Sequence, residues 1–148
     1  MAPEVQFLDA EKKANNPPDI ALYRYVRFVV LNLHTNPDVI GSPEKFPELN
    51  RDDFAEFWTH YDRVKNTLGQ LIRKGQREGL FIDIDPKLAG EQLYSLIESS
   101  LNTGTFNTGT QSKSTARQAK RAADTAATLI LRALLIDSRR LEQLRETE

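Results

Sequence analysis

The apolar positions of this 148-residue chain recur almost everywhere at three- and four-residue spacing, which predicts helices and no sheet. Val5, Phe7, Leu8 and Ala10 suit a helix near the start. Pro17-Pro18-Asp19 then punctuates the chain, since proline is tolerated in a first helical turn. From Asp19 to about Thr35, Ile20, Tyr23, Val26, Val30 and Leu33 form one stripe. Leu22, Tyr25, Phe28 and Val29 fill a second, so this helix is expected to be buried on more than one side. Residues 39–50 hold Gly41, Pro43 and Pro47 and read as a connector.

Asn50 as N-cap, with Asp52 and Asp53 in the first turn, predicts a long helix to about Glu78. Its stripe is Phe54, Phe57, Trp58, Tyr61, Val64, Leu68, Leu71 and Ile72. Gly79 fits the position after its end. Asp85-Pro86 starts the next helix, which runs to about Thr103 with Leu88, Leu93, Leu96, Ile97 and Leu101 inward. The Asn-Thr-Gly-Thr tetrapeptide, present twice within residues 102–110, reads as a loop. Ser114 or Thr115 can cap a last long helix to about Ile136, and the charged residues 137–148 follow as a polar tail that can lengthen it. Phe81 to Ile84 alternates like a strand but has no partner in sight. The expected fold class is all-α, an antiparallel helical bundle.

Composition narrows the function. Basic and acidic residues nearly cancel, 20 against 21, so no global field is available to hold nucleic acid or an anionic membrane. There is no cysteine, which excludes disulfides, thiolate metal sites and cysteine nucleophiles and fits a cytoplasmic protein. No apolar run approaches the roughly 20 residues that span a bilayer, and the first residues lack the pattern of a signal peptide.

Two segments carry a family resemblance. Gly75-Gln76-Arg77-Glu78-Gly79, followed through a short link by Asp85-Pro86, resembles the junction between two long helices in the regulatory domains of TetR-type transcription regulators. Ala122 to Leu135, small residues followed by leucines, is similar to the last helix of those domains. The likeness in order and spacing covers about Asp19 to Ile136. The family's helix-turn-helix head has no counterpart. Ala21-Leu22-Tyr23-Arg24-Tyr25-Val26-Arg27 imitates its Leu-Tyr stretch, but Val26 stands where Phe is expected and too few residues precede it. The resemblance therefore divides the chain into a remnant of a connecting helix at residues 1–18, a regulatory domain at 19–136 and the tail at 137–148. The start inside a helix is read as excision from a longer protein.

The resemblance implies two tasks, dimerisation and sensing of a small molecule. The last two long helices are expected to build a dimeric four-helix bundle through Leu96, Ile97, Ser100 and Leu101 on one and Ala119, Ala123, Ala126, Ile130 and Leu134 on the other. A small apolar or amphipathic effector is expected among Phe28, Leu31, His34, Phe54, Trp58, Tyr61, Tyr94 and Phe106, which combine apolar bulk with a few polar tips. DNA would be met only through a head that this chain lacks. The alternative is a headless helical bundle acting through a protein partner.

Other chemistry is thin. Glu56 and His60 share a helix face at i, i+4, but a metal needs a third ligand, so no metal or cofactor is expected. No nucleophile–base pattern or phosphate-cradling loop occurs, and no catalytic residue is assigned. Lys113, Arg117, Lys120 and Arg121 form a basic cluster best read as a solvated face.

Overall fold

The computed structural model describes residues 3–35, 55–101 and 114–146. These form α1 (Pro3–Ala14), α2 (Pro18–Thr35), α3 (Ala55–Arg77), α4 (Pro86–Leu101), α5 (Ser114–Leu134) and α6 (Arg140–Arg145). The Asn50 cap, the connector and the Asn-Thr-Gly-Thr loop lie outside the described residues. The all-α class holds, with one isolated bridge between Phe81 and Leu135.

The two-faced apolar pattern of α2 has a direct cause, since this helix touches every other one. Leu22, Tyr23, Tyr25, Val26, Val29, Val30 and Leu33 are all buried. Val64, Leu68 and Ile72 face them from α3, and Ala123, Ala127, Ile130 and Leu131 from α5. Arg27 on α2 closes the contact with α5 through an ion pair to Asp124 at 2.7 Å. Helices α3 and α4 run close together at Gly90, where a Cβ would stand 3.0 Å from the Lys65 carbonyl oxygen.

The α3–α4 junction shows why its motif has that sequence. Gly79 adopts φ +73°, which favours glycine. It lets Leu80 N–H bond the Gly75 carbonyl at 2.8 Å and Gly79 N–H bond that of Gln76 at 3.1 Å, the two bonds of a Schellman motif. Gln76 Nε2 donates to the carbonyls of Ile82 and Ile84 at 3.1 and 2.7 Å and so ties down the link. Gly75 leaves room for the Phe81 ring, which a Cβ there would meet at 2.0 Å. Asp85 Oδ1 accepts from Lys87 and Leu88 N–H and caps α4. The Phe81–Ile84 stretch does find a partner: Ile82 N–H bonds Leu134 and Ile136 N–H bonds Leu80, joining the junction to the end of α5.

Residues 137–146 do not lengthen α5. The chain turns, and α6 packs Leu141 and Leu144 against the body. Arg140 reaches Asp19, whose side chain is wholly buried, with Nε and the second guanidinium nitrogen 2.7 and 2.6 Å from Oδ2. Leu141 and Leu144 stand three apart, one helical turn, and this spacing was the overlooked signal. No helix among the described residues is long and apolar enough to cross a membrane.

Candidate functional site

Three of the sequence-derived effector residues meet on one face between α3 and α4. Trp58 and Tyr61 lie one turn apart on α3 and touch edge to face at 5.5 Å. Tyr61 then meets Tyr94 of α4 in the same manner at 4.5 Å. Edge-to-face contact is favourable for π-systems and orients the rings relative to one another. Lys65, one turn on, sets its ammonium 4.2 Å over the Tyr61 ring. Tyr94 is buried, and its phenol is pushed well up by burial, then by Glu98, Tyr61 and Glu4, so it stays a neutral hydroxyl.

The remaining candidates are more scattered. Phe28 stacks on Phe7 of α1, ring centroids 4.5 Å apart and planes 13° from parallel. Leu31 is half-buried against the core. His34 lies near the end of α2, where burial drives its pKa down against a hydrogen bond with the backbone of Ser100. The ring is therefore neutral at pH 7, and its Nε2 is buried without a hydrogen-bond partner among the described residues. An orphaned buried acceptor costs stability and is satisfied by any donor that reaches it. Phe54 and Phe106 lie outside the described residues.

A buried polar cluster borders these aromatics, and sequence reasoning missed it. Glu4, in the first turn of α1, is only 2% exposed. Tyr25 on α2 donates to its Oε1 at 2.5 Å. From α3, His60 Nδ1 approaches Oε2 at 3.0 Å, outside good hydrogen-bond alignment, and Arg63 stands at 3.8 Å. Burial opposes the charge of Glu4, but His60, Tyr25 and Arg63 outweigh it and hold the carboxyl below its usual range. Read alone, Glu4 looks like an ordinary acid favouring a helix N-terminus. Its role shows only once α1 lies against α3. His60, considered earlier with Glu56 as a metal pair, thus faces Glu4. Among the described residues no group of three His, Cys, Asp or Glu side chains could hold a metal.

The expected dimer residues divide in two. Ile97, Ala119, Ala123, Ala126, Ile130 and Leu134 are already buried within the single chain, 4% exposed at most. They are core here, because the apolar stripe of α5 turns toward α2. Leu96 and Ser100 are only part-buried, and the side chain of Leu101 lies outside the described residues. Beside them runs an open groove of about 460 Å³ between α4 and α5, walled by Leu96, Ser99, Ser100, Ala122, Thr125 and Leu129. Leu129 is 53% exposed. The Ser99 and Ser100 hydroxyls donate back to the Leu96 and Ile97 carbonyls of their own helix, which leaves Gln118, Arg121 and Thr125 of α5 as the polar part of the groove wall.

The family described as AefR-like transcriptional repressor, C-terminal domain, matches residues 33–134, more than half of the chain. Neither the comparison with curated proteins nor that with solved structures gives a match. The matched span runs from the end of α2 to the end of α5 and includes the Schellman junction, the aromatic face and the groove between α4 and α5. The chain belongs to the TetR family of transcriptional regulators, as an AefR-like C-terminal regulatory domain.

Proposed function

We propose that this domain senses a small apolar or amphipathic effector and holds two copies of a cytoplasmic transcription repressor together. The observation that carries the sensing role is the run of edge-to-face rings Trp58, Tyr61 and Tyr94, which links α3 to α4 beside the buried Glu4 cluster. Phe28, Leu31 and His34 of α2 are included in this proposal as further lining residues. A flat or branched apolar body suits the rings, and a hydroxyl or N–H suits the unpartnered Nε2 of His34. Binding would alter repression only through a preference for one arrangement of the helices. Phe54 and Phe106 belong to the same proposal.

Dimerisation is assigned to the open face of α4 and α5. Leu96, Ser100, Ala122, Thr125 and Leu129 would meet their counterparts, while Ile97, Ala123 and Ile130 support them from inside. Small residues allow close helix approach, and Leu129 supplies apolar area to bury.

A thermal-shift screen of apolar and amphipathic compounds tests the sensing role. A saturable stabilisation that Tyr61→Ala removes is expected; indifference across the screen contradicts it. Sedimentation equilibrium at micromolar concentration tests the pairing. Dimers are expected for the native chain and monomers for Leu129→Glu, and a native monomer contradicts the assignment.

A further inference from the structure

Helix α1 is clamped to the body at two places with a gap between them. Glu4 is held by Tyr25, His60 and Arg63, and Glu11 by Arg24 at 2.6 Å and by Asn16 at 2.8 Å. Leu8 lies between them on the same helical face, at i+4 from Glu4 and i−3 from Glu11. Between the clamps Phe7 packs on Phe28 and Tyr25, while Leu8 lines a space left between α1, α2 and α3. There the structure has a cavity of about 620 Å³, within the range of small-molecule sites.

The walls of this cavity are chemically divided. Leu8, Ala21, Leu71 and the Tyr25 ring supply apolar surface. Lys12, Lys74 and Arg77 bring three cations to it from the ends of α1 and α3, and none has an ion-pair partner among the described residues. Of the two acids present, Glu11 is already engaged by Arg24, which leaves Asp9 against three unpaired cations. The charge balance therefore favours an anion, and the apolar wall favours an apolar body.

We propose that the space between α1, α2 and α3 is a second ligand site, distinct from the aromatic face, for an amphipathic carboxylate. The apolar body lies along Leu8, Ala21 and Leu71, and the carboxylate faces Lys74 and Arg77 with Lys12 opposite. Arginine offers a carboxylate two parallel N–H donors, and the lysines add charge without fixed geometry. Phe7 lines this site and stacks on Phe28.

Dodecanoate, kept below its micelle concentration, is the probe, and calorimetric titration of the whole chain is the readout. One saturable site is expected, weakened at least tenfold in Lys74→Gln/Arg77→Gln. The neutral dodecanol and the cationic dodecyltrimethylammonium are expected to bind at least tenfold more weakly than dodecanoate. Both substituted residues are exposed, so the double variant should fold, and its unchanged melting temperature without ligand checks this. Tyr61→Ala should leave dodecanoate binding unchanged while it abolishes binding at the aromatic face, which separates the two proposals. Absence of saturable binding, equal binding of dodecanol, or indifference to the double variant would overturn the assignment. So would loss of dodecanoate binding in Tyr61→Ala alone, because the carboxylate would then lie on the aromatic face.

Discussion

The α3–α4 junction and the seat of α1 are built in opposite ways. At the junction the groups that shape the turn have internal uses. Gly79 turns the chain, Gly75 admits Phe81, Gln76 binds two carbonyls, and Asp85 caps the next helix. Beneath α1, one carboxylate is buried among groups from two helices, a cavity follows, and the imidazole Nε2 of His60 is buried without a partner among the described residues. A region closed by local bonds stabilises the fold. A region with unsatisfied polar atoms and room beside them is less stable by itself and gains from a ligand, which is how sensing sites differ from scaffolds.

Substitutions should expose this difference in order of size. Gly75→Ala forces a Cβ into the Phe81 ring and is expected to cost about 3 kcal/mol in urea unfolding. Phe81→Ala in the same chain should recover part of that loss, since the clash is with this ring, and strict additivity would place the damage elsewhere. At the other region, Glu4→Gln is expected to cost about 2 kcal/mol at pH 7, the size of hydrogen bonds to a buried charge. The carboxyl has a lowered pKa in the folded chain. Its contribution is therefore complete above the unfolded carboxylate value and fades as pH falls through the folded one. The gap between Glu4→Gln and the native chain should accordingly shrink below about pH 4, and a gap that stays constant would refute a charged role.

Two smaller effects sharpen the contrast. Asp85→Ala removes a helix cap and should cost about 1 kcal/mol without changing effector binding. His34 has a lowered pKa in the folded state, so the unfolded chain takes up its proton first on acidification. Its contribution is intact above the ordinary histidine value of about 6.5 and declines as pH falls through the folded one. Replacing it with Gln should flatten the thermal stability profile in that window, and an unchanged slope would show that His34 stays accessible to protons.

What could be read in advance follows the same division. The helices, the Asp85 cap and the Gly79 turn rest on neighbours in sequence, so spacing and cap chemistry were enough. Glu4 was invisible, because its partners Tyr25, His60 and Arg63 come together only when α1 lies along α3. Periodicity also shows that α5 has an apolar stripe without saying what covers it. The stripe of Ala123 and Ile130 turned out to be core, and the part-exposed side is the adjacent one with Ala122 and Leu129. Arg140 and Asp19 are 121 residues apart, and no local pattern could have paired them.

Trp58 is the chain's single tryptophan and sits at the end of the aromatic run, so its fluorescence reports on the effector face most directly. A compound that stabilises the protein and keeps its affinity in Lys74→Gln/Arg77→Gln should shift Trp58 emission saturably, with a midpoint matching its calorimetric affinity, and Tyr94→Ala should weaken both together. A compound that binds tightly, is indifferent to Lys74→Gln/Arg77→Gln, and yet spares Trp58 emission and ignores Tyr94→Ala would contradict the placement of the effector between α3 and α4.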